Sequence, residues 1–125
     1  MSAKNPADVD HLFGELVNAA DLEGTVALYE AGATLVASDA GPQVGRDAIR
    51  AYLAGLIALA PTIDMGTIRT VALGDDLAVL HHDWRASFKD PNGQTVEMTG
   101  KATEIVRRQA DGNWLFLFDD PNLRD

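Results

Sequence analysis

Three carboxylates stand in stretches that read as β-strands, where an acid has a definite neighbourhood: Asp83, Glu104 and Asp119. The first lies in the run His81-His82-Asp83-Trp84-Arg85. Side chains alternate along a strand, so Val79, His81, Asp83, Arg85 and Ser87 share one face, while Ala78, Leu80, His82, Trp84, Ala86 and Phe88 share the other. The second set is the more apolar and has the composition of a core. Glu104 alternates with Ala102 and Val106, and an acid in such company needs a partner or a proton. Lys101 and Arg85 are the candidate partners. Asp119 and Asp120 point to opposite faces as strand neighbours, so they form no dyad, and Asp119 shares parity with Leu117. Burial raises a carboxyl pKa, and an acid so tuned can give or take protons near neutrality. The structural alternatives are ion pairing for Asp83 and Glu104, and a strand-end cap for Asp119.

Other chemistries find no residues to carry them. The 125-residue chain has no cysteine, which removes disulfides, thiolate nucleophiles and cysteine-held metals. The neighbours His81 and His82 diverge on a strand and cannot hold one ion, and His11 completes no ligand set, so no metal site is expected. Ser38 and Ser87 lack a nucleophile-elbow context, and no glycine-rich phosphate loop is present. No cofactor is expected. A formal net charge of −9 repels nucleic acid, whose binding needs clustered Lys and Arg. No apolar run reaches the ~18 residues of a membrane span, and the opening Met-Ser-Ala-Lys-Asn-Pro has no signal-like apolar core. A cytoplasmic protein without membrane or nucleic-acid partners is the expectation.

The elements that would position these residues follow from periodicity. Asn5 and Pro6 suit a helix start, with Val9, Leu12, Phe13, Leu16 and Val17 on one face. Asp21 caps a second helix carrying Leu22, Val26 and Tyr29, with Gly32 as its terminator. A short strand covers 33–37, and Gly41-Pro42 opens a loop that runs to Gly45. A third helix from about Asp47 to Ala60 buries Ile49, Leu53, Leu56 and Ile57, and Pro61 stops it. Strands then cover 63–73, 77–88, 96–108 and 114–119, with turns at Gly74-Asp75, Asn92-Gly93 and Asp111-Gly112. The order implies one α+β domain over 1–125, with helices on one face of a curled sheet.

Four motifs sharpen this picture: Asp21-Leu22-Glu23-Gly24 with Val26-Ala27-Leu28-Tyr29, then Gly45-Arg46-Asp47-Ala48-Ile49, then Arg107-Arg108 with Asp111-Gly112-Asn113-Trp114, and Asp119-Asp120-Pro121-Asn122. Together they resemble the NTF2-like superfamily, and within it SnoaL-like and ketosteroid isomerase-related domains. The resemblance implies a cone of three N-terminal helices on a curved, mostly antiparallel sheet, closing a largely apolar pocket. By the same likeness, Phe13, Tyr29, Tyr52, Leu53 and Leu56 line the pocket with Arg85 and Leu117, and the protein is a homodimer.

Two branches of the superfamily test the carboxylates. Against ketosteroid isomerase, the tyrosine position falls on Phe13 and the base position on Ala37, so only Glu104 keeps an acid. Steroid isomerisation is therefore not implied. Against the limonene-epoxide hydrolase branch, His81 takes an arginine's place, Asp83 that of its partner acid, and Asp119 lies near the last-strand acid. That alignment turns His81, Asp83 and Arg85 toward the pocket, and a one-residue slip would turn them away. Two readings stay open. One is acid–base catalysis on a small hydrophobic carbonyl, epoxide or polyketide-like ligand, with Asp83 or Asp119 as base, Glu104 as acid and His81 beside them. The other is a non-catalytic binding or assembly domain.

Overall fold

A computed structural model describes residues 2–124. Helix α1 spans Pro6–Asn18, α2 Leu22–Val26 and α3 Arg46–Ala58. The strands are β1 Tyr29–Ala37, β2 Gly41–Val44, β3 Thr62–Asp64, β4 Arg69–Leu73, β5 Leu77–Lys89, β6 Thr95–Arg108 and β7 Trp114–Arg124. They form one mixed, mostly antiparallel curved sheet in the order β2-β1-β7-β6-β5-β3, with β4 also pairing with β5. Among the described residues the single parallel contact joins β1 to β7. The helices pack on this sheet as the α+β cone expected from the sequence.

Local chemistry explains most of the boundaries. Asp8 accepts a hydrogen bond from the Asn5 backbone N–H at 3.1 Å, closing the first turn of α1 behind Pro6. Asp21 caps α2 by accepting from Gly24 N–H at 2.8 Å. That helix ends at Val26, earlier than expected, and Tyr29 already begins β1 while Gly32 lies inside the strand. The segment expected as a loop after Gly41 instead pairs back on β1 as β2. The stretch expected as one strand over 63–73 breaks into β3 and β4 around Gly66, whose φ of +68° favours glycine. A Cβ at Gly66 would also meet the carbonyl of Asp83.

The core draws on every layer: Val9 and Leu16 of α1, Val26 of α2, Leu35 of β1, Ile49 and Leu53 of α3, Leu80 of β5, Val106 of β6 and Phe116 of β7 are all buried. Asn18 ties α1 to β3, accepting from Ile63 N–H at 2.7 Å and donating to Ile63 C=O at 3.0 Å. The helix and the chain past β3 come close at Gly14, where a Cβ would lie 2.8 Å from Met65.

A tighter approach is made across β5 and β6. Gly100 faces Trp84, and a Cβ there would lie 2.5 Å from the indole ring. The ring is also held by its N–H, which donates to Pro121 C=O at 2.8 Å. Gly100→Ala must therefore displace Trp84 or bend β6. Overpacking of this kind costs about 1–3 kcal/mol. Urea unfolding should show a loss in that range, and wild-type stability in the variant would mean that the indole has room to move.

Candidate functional site

A cavity of about 100 Å³ lies between the helices α1 and α3 and the sheet. Its apolar wall includes Phe13, Leu35, Tyr52, Leu53, Leu56, Ile63, Trp84, Phe88 and Phe116. At one end four polar side chains converge: Asp10 from α1, His82 from β5, Glu104 from β6 and Asp119 from β7. All are nearly inaccessible, at 0%, 4%, 2% and 6% exposure. No lysine or arginine lines the cavity among the described residues.

Strand register assembles the group. Glu104 pairs with Leu80 and His82 with Ala102, so His82 and Glu104 are diagonal neighbours on the same face of β5 and β6. Glu104 also pairs directly with Asp119. The inward placement of Asp119 depends on an irregularity in β7. Val106 pairs with Phe116 and Ile105 with Phe118, which leaves Leu117 as an extra, unpaired residue. That bulge reverses the parity of the strand, so Phe116 and Asp119 both reach the cavity although three positions separate them.

The contacts in the group are specific. His82 Nε2 lies 2.9 Å from Glu104 Oε2 and 3.6 Å from Asp10 Oδ2. On the other side of the ring, Nδ1 lies 2.8 Å from the Met65 carbonyl. A carbonyl only accepts, so Nδ1 carries hydrogen and donates, leaving Nε2 to face the acids. One proton on the Nε2–Oε2 contact then satisfies both atoms. Tyr29 does not line the cavity but lies fully buried behind it, donating its O–H to Asp119 Oδ2 at 2.6 Å. As carboxylates, both oxygens of Asp10 and Oε1 of Glu104 have no donor among the described residues; a proton on Asp10 would bond it to Glu104.

Burial dominates the electrostatics. It raises the pKa of Asp10 well above the usual carboxylate range, and the charge of Glu104 adds to the effect. Burial likewise raises Glu104, with Asp119 as the second cause. Burial pushes Asp119 up to about 6, while the Tyr29 hydroxyl and His82 pull the other way. Tyr29 is raised too, by burial and then by Asp119, which keeps its phenol protonated.

The positions expected from the sequence divide in two. Glu104 and Asp119 reach the cavity, and Phe13, Tyr52, Leu53 and Leu56 line it. His81, Asp83 and Arg85 do not, because they occupy the outer face of β5. His81 Nδ1 lies 3.0 Å from Thr103 Oγ1. Asp83 and Arg85 have side chains 68% and 78% exposed, with Arg124 and Asp64 as their ion-pair partners. The apolar set Leu80, His82, Trp84, Ala86 and Phe88 faces inward instead, as plain hydrophobic alternation requires. The alignment that turned the polar set inward was off by one residue, so the epoxide-hydrolase trio of His81, Asp83 and Asp119 does not assemble. Leu117 also lies off the cavity, displaced by the bulge. Glu104 pairs with neither Lys101 nor Arg85.

Two residues of the group were not singled out from sequence, and both left a trace there. His82 interrupts an apolar strand face. Asp10 interrupts the α1 face, because 10, 13, 14 and 17 follow helical spacing and the other three are Phe, Gly and Val. The two adjacent histidines do diverge, as expected. However, Asp10, His82 and Glu104 come together from three elements with their donor atoms within 4.8 Å of one another, a set that could hold a metal ion.

A second hollow, of about 410 Å³, lies among Leu16, Asp21, Gly24, Leu28, Gln109 and Trp114. It is larger, but none of the unpartnered buried polar atoms belongs to it.

The SnoaL-like domain family model matches residues 9–116, and the chain belongs to that family. No curated protein matches the sequence. Solved structures share the fold at low identity. An NTF2-like superfamily protein from Salmonella enterica serovar Typhimurium is 15% identical, with a TM-score of 0.81 over 94% of this chain and 89% of that one. A ketosteroid isomerase-like protein from Erwinia carotovora atroseptica is 17% identical, with a TM-score of 0.79 over 90% and 88%. The association domain of C. elegans CaMKII is 17% identical, with a TM-score of 0.75 over 91% and 89%. No helix among the described residues is long and apolar enough to cross a membrane.

The raised carboxyls make stability depend on pH in the sense opposite to ordinary salt-bridged acids. For Asp119, whose usual value is 3.8, the stabilising contribution is full below about pH 4 and is lost as pH rises through about 6. Asp119→Asn keeps an oxygen to accept from Tyr29 but cannot ionise. It should flatten the melting-temperature profile across that window and stabilise the protein at pH 7.5 by roughly 1–3 kcal/mol. A variant profile parallel to wild type would show that Asp119 is not the titrating group.

Proposed function

We propose that this protein is an acid–base enzyme that transfers protons on a small hydrophobic carbonyl or polyketide-like ligand. The observation that carries this reading is the convergence of Glu104, His82 and Asp119 at one end of an apolar cavity. Asp119, with a pKa near 6, is the base, ionised at neutral pH yet buried enough to be reactive. Tyr29 orients its carboxylate through the 2.6 Å hydrogen bond. The Glu104–His82 pair supplies the proton to the ligand oxygen, with the ring held in one orientation by Met65 C=O. A cavity of about 100 Å³ suits a ligand near one ring in size. For scale, a ~150 Å³ apolar cavity takes benzene.

A second reading, a non-catalytic binding domain, is favoured by Phe13 and Ala37, which stand where the isomerase likeness calls for a donor and a base. The family likeness supports a homodimer. It accords with Val71 and Leu73 of β4, which lie 54% and 50% exposed on the sheet. Sedimentation at micromolar concentration should give twice the monomer mass.

Two assays test the enzyme reading without knowledge of the natural ligand. One follows deuterium uptake from D₂O at the α-carbon of cyclohexanone, and the other the conversion of 3-cyclohexenone to its conjugated isomer. The wild type should accelerate at least one of them, with a rate that rises with pH through about 6 as Asp119 ionises. Asp119→Asn and Glu104→Gln should each lower that rate by about 10²–10⁴-fold, the usual worth of a positioned acid or base. Full activity in both variants, or no acceleration by wild type, would leave the binding reading in its place.

A further inference from the structure

We infer that the ligand of this cavity enters with a hydrogen-bond donor, an amine or a hydroxyl, at its buried end, and that the matching carboxylate is rejected. This deepens the proposed function and rests on that reading: besides the carbonyl oxygen that the Glu104–His82 proton serves, the ligand carries a donor group for Asp10, which concerns recognition and not the chemical step.

The inference comes from an inventory of donors and acceptors at the polar end. The donors present are already used. Tyr29 O–H goes to Asp119, and His82 Nδ1–H goes to Met65 C=O. A single proton serves the contact between His82 Nε2 and Glu104. What remains is Asp10 Oδ1, Asp10 Oδ2 and Glu104 Oε1, all buried and all without a partner. Carboxyl oxygens accept; a proton on Asp10 would be donated to Glu104 beside it, and one Asp10 oxygen still remains a buried acceptor without a donor. A buried acceptor without a donor is costly, and a ligand that brings the donor recovers that cost.

Charge points the same way. Acidic groups meet at this end, and no lysine or arginine lines the cavity among the described residues. Arg124, whose charge Glu104 feels, is not part of the lining. Its Nη2 is directed at the backbone carbonyls of His82 and Ala102 and at Asp83 on the outer face, and its Nε is buried without a partner among the described residues. An anionic head would therefore meet three carboxyls and no lysine or arginine there. An ammonium would meet carboxyl oxygens and, along the wall, the aromatic rings of Phe13, Trp84 and Phe116.

A matched series on one ring tests this directly: benzylamine, benzyl alcohol, benzaldehyde, benzoate and toluene, titrated into the whole protein at pH 7.5 and followed by NMR. The amine or the alcohol should bind at least tenfold more tightly than benzaldehyde or toluene, and benzoate should not bind. The amine in first place marks a cationic ligand, and the alcohol a neutral one. In Asp10→Asn the advantage of the donor heads should shrink to within about threefold, with toluene unchanged. The wild-type ranking stands as a test by itself if that variant does not fold. Binding of benzaldehyde or benzoate as tight as that of the donors would overturn the inference, as would no binding across the series. So would a donor preference abolished by added Zn²⁺ or created by chelation, since a metal would then be the partner of those oxygens. Loss of turnover in Asp119→Asn with the ranking intact separates recognition from catalysis.

Discussion

Glu104 sits on an interior strand of the sheet, 2% exposed, in a position whose strand neighbours Ala102 and Val106 are also buried. Its carboxyl cannot reach water, so the interior must supply what water would have given. The 2.9 Å contact with His82 is that supply, and the surrounding architecture serves it. The histidine ring holds its orientation because Met65 C=O accepts from its far side. That carbonyl is in place because β3 and β4 break around Gly66 and because Gly14 lets α1 lie against Met65. A polar pair in a low-dielectric interior thus organises a helix, a turn and two strands around itself.

The same burial that makes the group expensive also makes it chemically useful. Carboxyls that would ionise near 4 in water are raised, and one of them, Asp119, lies near 6. Asp10, Glu104 and Asp119 titrate in each other's field, so their environments divide the roles that identical side chains would otherwise share. The cost appears as buried oxygens without partners and as stability that declines toward neutral pH. Such a deficit at the end of an apolar cavity is characteristic of a place where something binds, and proteins tolerate local instability where function requires it.

The NTF2-like likeness sets limits as well as expectations. Structures that share this fold at 15–17% identity include an isomerase-like protein and an association domain, so the cone itself does not select a reaction. On the proposed reading, the polar end of the cavity would select it. There the chain departs from the isomerase pattern, with Phe13 and Ala37 contributing no hydrogen-bonding side chain and Asp10 contributing an unexpected one. The outer face of the sheet, which carries His81, Asp83 and Arg85, has ordinary solvated ion pairs and none of these features.

Much of the fold was legible in the sequence because its signals are local. The capped starts of α1 and α2, the stop before Pro61, the glycine turns and the period-two runs each arise within a few neighbouring residues, and the structure keeps nearly all of them. Glu104 and Asp119 were legible as acids in apolar strands for the same reason. The inward face of the strand carrying His82 was also written there, in the plain alternation of Leu80, Trp84, Ala86 and Phe88, and only the borrowed alignment obscured it. Other features depend on distant parts of the chain. The bulge at Leu117 exists only in the pairing of β7 with β6, and it alone brings Phe116 and Asp119 to one side. The meeting of Asp10, His82 and Glu104 joins positions separated by 72 and 22 residues in the chain. Local propensity carries no record of such a contact, because it forms only when a helix is laid across a sheet whose register has already been set.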